Sequence, residues 1–357
     1  MLIRFVLHAA LALVAGTAIA QCPPTAADKL DDDSFAQIDR REYLEAERLA
    51  RRALELREKC GENRDLAWTL GNLGTVLGRQ GKYSESERML ARSLALFEKT
   101  SGPTHADTGA AFLNHGLALY YLADYPAAER QLRRAVDVIE RAEGKHHEDT
   151  AIATDNLGLV LSHQGKYMEA YPISRRALAL YEKTSGPKSW RTSNGLENLA
   201  GVLSGLGSHA DAEAMQRRAL AIRRELLPPK HPDIARSLNQ IASTLQRQRS
   251  YEEAERYFRE GVAATAAALG PRHPETARVT NNFGVFLAGQ KRYAEAEVEF
   301  RKAVSIRTEV LGVLHPHTSQ ALNSLGLSLQ FQNKEAEAQA LFRRADESDR
   351  ARQQQKR

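Results

Sequence analysis

A 42-residue period runs through this chain and restricts it to architectures built by stacking copies of one small unit. One aromatic marks the beat: Tyr83, Tyr125, Tyr167, Tyr251 and Tyr293 stand 42 or 84 residues apart, with His209 filling the gap. Eleven positions earlier come Asn72, Asn114, Asn156, Asn198, Gln240 and Asn282. A small residue follows two places on, at Gly74, Gly116, Gly158, Ala200, Ala242 and Gly284, and then Leu77, Leu119, Leu161, Leu203, Leu245 and Leu287. Leu73 and Leu77 are four apart and share one helical face, with Gly74 leaving room for a neighbouring helix. After the aromatic, Ala128, Ala170, Ala212, Ala254 and Ala296, and seven residues on Ala135, Ala177, Ala219 and Ala303, trace a second helix. Each unit therefore reads as two antiparallel helices. Neither can bury its apolar stripe alone, so the units must stack around a continuous core.

Composition agrees. Aromatics at 6% with abundant Ala, Leu, Glu and Arg disfavour a β architecture. Hydrophobic residues at 42% beside 27% charged exclude both a disordered polyelectrolyte and a multi-span membrane protein.

The alternation of Leu, Gly and Leu followed by Ala and Phe resembles the tetratricopeptide repeat, usually with Leu in place of its late Tyr. The 42-residue unit and segments such as Asn281-Asn282-Phe283-Gly284 and Ala254-Glu255-Arg256-Tyr257-Phe258 resemble the kinesin light chain subtype. The resemblance covers residues 36–348. It implies an all-α fold, a right-handed α-α superhelix of about seven to eight helical hairpins, with units near 36–62, 63–104, 105–146, 147–188, 189–230, 231–272, 273–314 and 315–348. Residues 21–35 form an N-terminal segment or first helix, and 349–357 a polar tail.

His105, His147, His231, His273 and His315 recur between units, three of them followed by Pro. A metal site needs several ligands converging, whereas these occur once per unit, so they read as helix entry signals, with Pro232, Pro274 and Pro316 setting the backbone. No phosphate loop, H-E-x-x-H or G-x-S-x-G motif is present, and neither a catalytic residue, a metal nor a cofactor is expected.

Binding is the remaining mode of action. The resemblance implies that the first helix of each unit lines a concave groove. In the C-terminal half the positions assigned to that wall are Arg236 with Asn239, Arg278 with Asn281, and Gln320 with Asn323, joined by Gln246 and Arg247. A ladder of carboxamides can pair with the backbone of an extended peptide, and Arg selects carboxylates, so an acidic peptide segment is expected. Trp68 and Tyr120 either anchor a partner or pack between helices. Asn72, Asn114, Asn156 and Asn198 either touch a ligand or tie adjacent units together.

The N-terminus reads as a secretory signal: Arg4, an apolar run from Phe5 to Ala15, and Ala18 and Ala20 before a cut after Ala20. Its removal leaves 49 basic against 45 acidic residues, scattered rather than clustered, which does not indicate nucleic-acid binding. The expectation is an exported, periplasmic or secreted scaffold, monomeric or dimeric, without a stable membrane span once cleaved. A self-associating spacer and a hydrolase with an unrecognised site are the alternatives. The two cysteines, Cys22 and Cys60, lie at equal distances from a turn near Arg41, so antiparallel helices bring both to one end. A bridge between them stabilises by roughly 3–4 kcal/mol. Mass spectrometry of the mature protein should show a gain of about 2 Da on reduction; an unchanged mass refutes the bridge.

Overall fold

The computed structural model describes residues 26–355. The expected signal segment and Cys22 lie outside them; Cys60 sits just beyond the end of the second helix. The described residues form sixteen α-helices and no strand, in two compact units. The first unit, Met1–Pro187, holds α1 (Ala26–Asp39), α2 (Tyr43–Glu58), α3 (Arg64–Arg79), α4 (Tyr83–Thr100), α5 (Ala106–Tyr121), α6 (Tyr125–Glu143), α7 (Glu148–His163) and α8 (Tyr167–Thr184). The second, Lys188–Arg357, holds α9 (Trp190–Gly205), α10 (His209–Leu226), α11 (Pro232–Arg247), α12 (Tyr251–Leu269), α13 (Pro274–Gly289), α14 (Tyr293–Leu311), α15 (Pro316–Gln330) and α16 (Glu335–Gln355). In each unit an odd helix and the following even helix form a hairpin, and hairpins pack side by side.

The recurrent aromatic opens the even helix. Between the helices the chain turns through a left-handed residue, and the last core leucine of the odd helix accepts a hydrogen bond from five residues on. Lys82 N donates to Leu77 O, and Ser250 N to Leu245 O, both at 3.0 Å. Gly81 supplies the positive φ in the first case, whereas Arg249 carries it at +63° in the second. At the other end of the hairpin each recurrent histidine caps the next odd helix. The Nδ1 of His105, His147, His231, His273 and His315 accepts the backbone N–H two residues on, at 3.1–3.2 Å.

The small residue of the odd helix faces the even helix of its own hairpin. A Cβ at Gly74 would lie 2.6 Å from Leu90 Cγ, and one at Gly326 2.5 Å from Phe342 Cε1. In the second unit this close approach wraps one apolar cluster, including Leu238, Ile241, Phe258, Phe283, Phe286, Phe300, Leu325 and Leu329.

At both ends helices run across the expected boundaries. Helix α1 starts ahead of residue 36 and pairs with α2 as a full hairpin, burying Ala27, Asp31 and Ser34. Ser34 Oγ donates to Ala46 O at 2.9 Å, which ties it to α2. Helix α16 continues into the expected tail as far as Gln355, and just ahead of that tail Ser348 Oγ donates to Val313 O at 2.7 Å.

A polar clamp joins successive hairpins. Gln164, at the end of α7, donates to Tyr125 O (3.3 Å) and to Glu129 Oε2 (2.8 Å) on α6, and Lys166 reaches the same oxygen at 2.7 Å. Gln80 with Glu47, Gln248 with Glu213, and Gln332 with Glu297 repeat the arrangement. Burial alone would raise the Glu129 carboxyl, but Lys166, Gln164 and Arg133 outweigh it and bring it down to about 2; Glu47 is brought to about 2 in the same way by Lys82, Gln80 and Arg51. A depressed folded pKa contributes stability above the ordinary carboxylate range and loses it as pH falls toward 2. Urea unfolding should therefore show stability declining from about pH 5 downward, with a shallower slope in Glu129→Gln. Because the clamp is partly wet, that substitution should cost only about 1 kcal/mol at neutral pH.

Candidate binding face

The odd helices of the second unit are packed by their hairpin partners and by neighbouring hairpins, and each keeps one stripe open. In α11 the stripe is Arg236, Gln240, Ser243 and Arg247; in α13 it is Arg278, Asn282, Val285 and Gly289; in α15 it is Gln320, Ser324 and Leu327, ending at Phe331. Spacings of four, three and four residues hold these positions on one side of a helix. Three apolar members are openly exposed: Val285 at 47%, Leu327 at 50% and Phe331 at 64%. Phe331 stacks on Tyr293 with ring centroids 4.8 Å apart and planes 12° from parallel. Arg236 and Arg278 thus occupy the N-terminal end of the stripe on α11 and α13, and exposed apolar groups the C-terminal part on α13 and α15, while α11 ends in Arg247.

The arginines are held in place by their own helices and by the preceding odd helix. Arg236 pairs with Asp233 at 2.7 Å and approaches Glu197 at 3.7 Å. Arg278 grips Glu275 through two hydrogen bonds, Nε at 2.8 Å and Nη2 at 2.5 Å, and Arg247 donates to Ser204 at 2.8 Å. Each pair is half in water and holds weakly, so an incoming carboxylate can compete for the guanidinium.

The expected carboxamide ladder does not line this stripe. Asn239 turns toward α12: its Nδ2 donates to Ala235 O (2.8 Å) and Thr265 Oγ1 (3.3 Å), and its amide lies over Gly261, where a Cβ would come within 2.6 Å of Oδ1. Asn281 is 5% exposed, and of the three only Asn323 is open to solvent. The reason is angular. Residue 239 is three positions past Arg236 and rotates toward the even helix, where it meets Thr265; Gln240, four past, is half-buried. The same inward relation joins Asp155 to Tyr181 and Glu197 to Arg223.

Other expected contacts are also interior. Asn72 is fully buried and donates to Asp31 Oδ1 at 3.1 Å, with Thr69 Oγ1 on the other oxygen at 2.6 Å; burial pushes the Asp31 carboxyl up to about 6 against these bonds. Asn114 is fully buried, and Asn156 donates to Ile152 O within its own helix. These three amides therefore serve the packed interior. Asn198 and Gln246 are half-buried, Arg247 and Gln320 exposed. Trp68 is half-buried with its ring 5.1 Å from that of Phe35, and Tyr120 bonds His163 Nε2 at 3.0 Å inside a cluster with Tyr121 and Tyr125. Residues the sequence reading missed are Asn282, Val285, Leu327 and Phe331. Their signal was the recurrence of non-core residues four, seven and eleven positions after Arg278 and Gln320.

Among the described residues no group of three His, Cys, Asp or Glu side chains is arranged to hold a metal ion, and no helix is long and apolar enough to cross a membrane.

The tetratricopeptide repeat family model matches overlapping pairs of hairpins from end to end: 35–99, 65–141, 107–183, 149–225, 191–267, 233–297 and 275–350. The chain belongs to the tetratricopeptide repeat family. Proteins of this family generally mediate protein–protein interactions, and the strandless set of paired helices is its solenoid fold. No curated protein matches the chain. Among solved structures, a putative kinesin light chain from Podosopora anserina with nearly identical repeats is 20% identical, with 58% of this chain and 98% of that one covered and a TM-score of 0.53. A Rap protein complexed with competence and sporulation factor is 15% identical over 92% of this chain and 99% of its own, TM-score 0.59. The apo form of the quorum sensor NprR from B. thuringiensis is 11% identical over 90% and 87%, TM-score 0.67. At these identities the likeness is one of fold.

Proposed function

We propose that this chain is an exported, non-catalytic adaptor that captures an extended segment of a partner protein along the odd-helix face of its second unit. The observation that carries the reading is the open stripe itself, in which Arg236 and Arg278 at one end are followed by exposed Val285, Leu327 and Phe331 at the other. Such a surface suits a segment that presents acidic groups beside apolar side chains. Val285, Leu327 and Phe331 exclude water around the apolar anchors, the arginines select carboxylates, and Asn282 and Gln320 can pair with the peptide backbone. The Rap protein of the same fold, seen in complex with competence and sporulation factor, is a precedent for ligand capture by this architecture.

No step in this action breaks a covalent bond. Affinity is the sum of modest contacts along a preformed surface, each polar contact contributing about 0.5–1.5 kcal/mol. The chain acts as a monomer or dimer, and the signal read at residues 1–20 places it in the periplasm or outside the cell.

Selection of a random peptide library on the purified protein should yield acidic sequences with apolar residues. Affinity for the selected peptides should fall at least tenfold in Val285→Glu with Leu327→Glu, and also in Arg236→Glu with Arg278→Glu, while circular dichroism stays unchanged. Full binding by both folded variants would remove this face as the site.

A further inference from the structure

Two arginines occupy equivalent places in the second unit, 84 residues apart, and only one has a counter-charge. Arg223 on α10 is fully buried. Its Nη1 donates to Glu197 and to Ser237 Oγ (2.8 Å), its Nη2 donates to Asn194 Oδ1 (2.9 Å), and its guanidinium lies 5.4 Å from the ring centre of Trp190. Arg307 on α14 is buried nearly as deeply, at 4% exposure. Every partner has changed around it: Asn194 corresponds to Arg278, Glu197 to Asn281, Ser237 to Ala321 and Trp190 to Pro274. Arg307 keeps one acceptor, His317 O, 2.6 Å from Nη1, and among the described residues it has no ion pair. That carbonyl lies in the first turn of α15, where the helix supplies it with a partner of its own.

The surroundings are positive. Burial, and then the nearby Arg278, hold the Arg307 guanidinium below its usual value. His315 is likewise held down by burial and by His317, Arg307 and Arg352. Glu275 pairs with Arg278 at 2.5 Å, and Asp349 lies 3.0 Å from Arg352. None of the Arg307 nitrogens is both sealed from solvent and without an acceptor, so the N–H groups that His317 leaves free keep an opening. A buried cation without a counter-charge is costly unless a ligand supplies one.

We propose that Arg307 is the floor of a carboxylate-binding pocket on the odd-helix face, completed by Arg278, in which a ligand carboxylate takes the place that the Glu197 side chain fills beside Arg223. Asn281 is shorter than Glu by one methylene and uncharged, which leaves both the space and the charge to the ligand. Arg307 presents its planar fork, and Arg278 exchanges Glu275 for the incoming carboxylate. The pocket rests on the peptide-capture reading only in lying on the same face, and it makes a separate claim: one acidic side chain or chain-terminal carboxylate is read by a buried arginine.

The test follows the arginine Nε–H signals of the intact mature protein by nitrogen-edited NMR during titration with glutarate, an acetylated and C-terminally amidated tetraglutamate, the tetraglutamine blocked in the same way and inorganic phosphate. The Arg307 and Arg278 signals should move saturably with glutarate and tetraglutamate and stay still with tetraglutamine. Arg307→Met should weaken glutarate binding at least tenfold, and Arg307→Lys, which keeps charge but not the fork, should fail to restore it. In thermal unfolding without ligand, Arg307→Met should leave Tm unchanged or raise it, whereas Arg223→Met, which strands Glu197, should lower it. Saturation by phosphate alone, no saturation by any anion, or a fall in Tm with Arg307→Met as large as with Arg223→Met would each overturn the pocket. Loss of selected-peptide capture with glutarate binding intact counts against the adaptor reading alone; intact capture with silent arginine signals counts against the pocket alone.

Discussion

Close approach of each hairpin's two helices at the small residue of the odd helix sets the geometry on which everything else rests. Leu90 sits over Gly74, Phe300 over Gly284 and Phe342 over Gly326, each closer than a Cβ would tolerate. A glycine inside a helix costs roughly 1 kcal/mol relative to alanine, so it persists where close approach returns more than that in packing. With the hairpin drawn tight and a second hairpin alongside, an odd helix has little free surface. What remains is a single stripe, and its composition defines what the protein can hold.

Polar groups enforce the register between hairpins rather than supply the bulk of the stability. The Gln clamp fixes the end of one odd helix to the start of the preceding even helix by a backbone carbonyl and a shared glutamate. The clamp bonds recur at Gln80, Gln164, Gln248 and Gln332, two repeats apart; Leu122 and Leu206 occupy the intervening places in the first part of the array, whereas Gln290 keeps the glutamine. The clamp therefore returns at 84-residue intervals, and Arg223 and Arg307 are separated by the same interval.

The hairpins were legible in the sequence because the residues that set them, the aromatic at the turn, the small residue and the histidine cap, act locally and repeat. The packing of α1 was not, because its Asp-rich sequence looks solvated while Asp31 is in fact buried between Thr69 and Asn72. The open stripe of the odd helices was legible to within one residue. Arg236 and Arg278 fall on it, but Asn239 and Asn281 turn inward, since a helix packed on several sides has no single amphipathic contrast to separate the third position from the fourth. Val285 and Leu327 escaped notice because an apolar residue in a helix reads as core until its neighbours are known. Arg223 and Arg307 were hidden for the opposite reason: they lie on helices rich in surface arginine, and only the fold shows them buried.

The central claim, that ligands are held on the odd-helix stripe of the second unit, is most directly tested by photocrosslinking in the compartment where the protein acts. A photoreactive residue placed at Ser243 or Asn282, on the stripe, should form a discrete adduct with a partner. The same residue at Val298, which is 52% exposed on even helix α14, should form none. Adducts from Val298 with none from Ser243 or Asn282 would contradict the account.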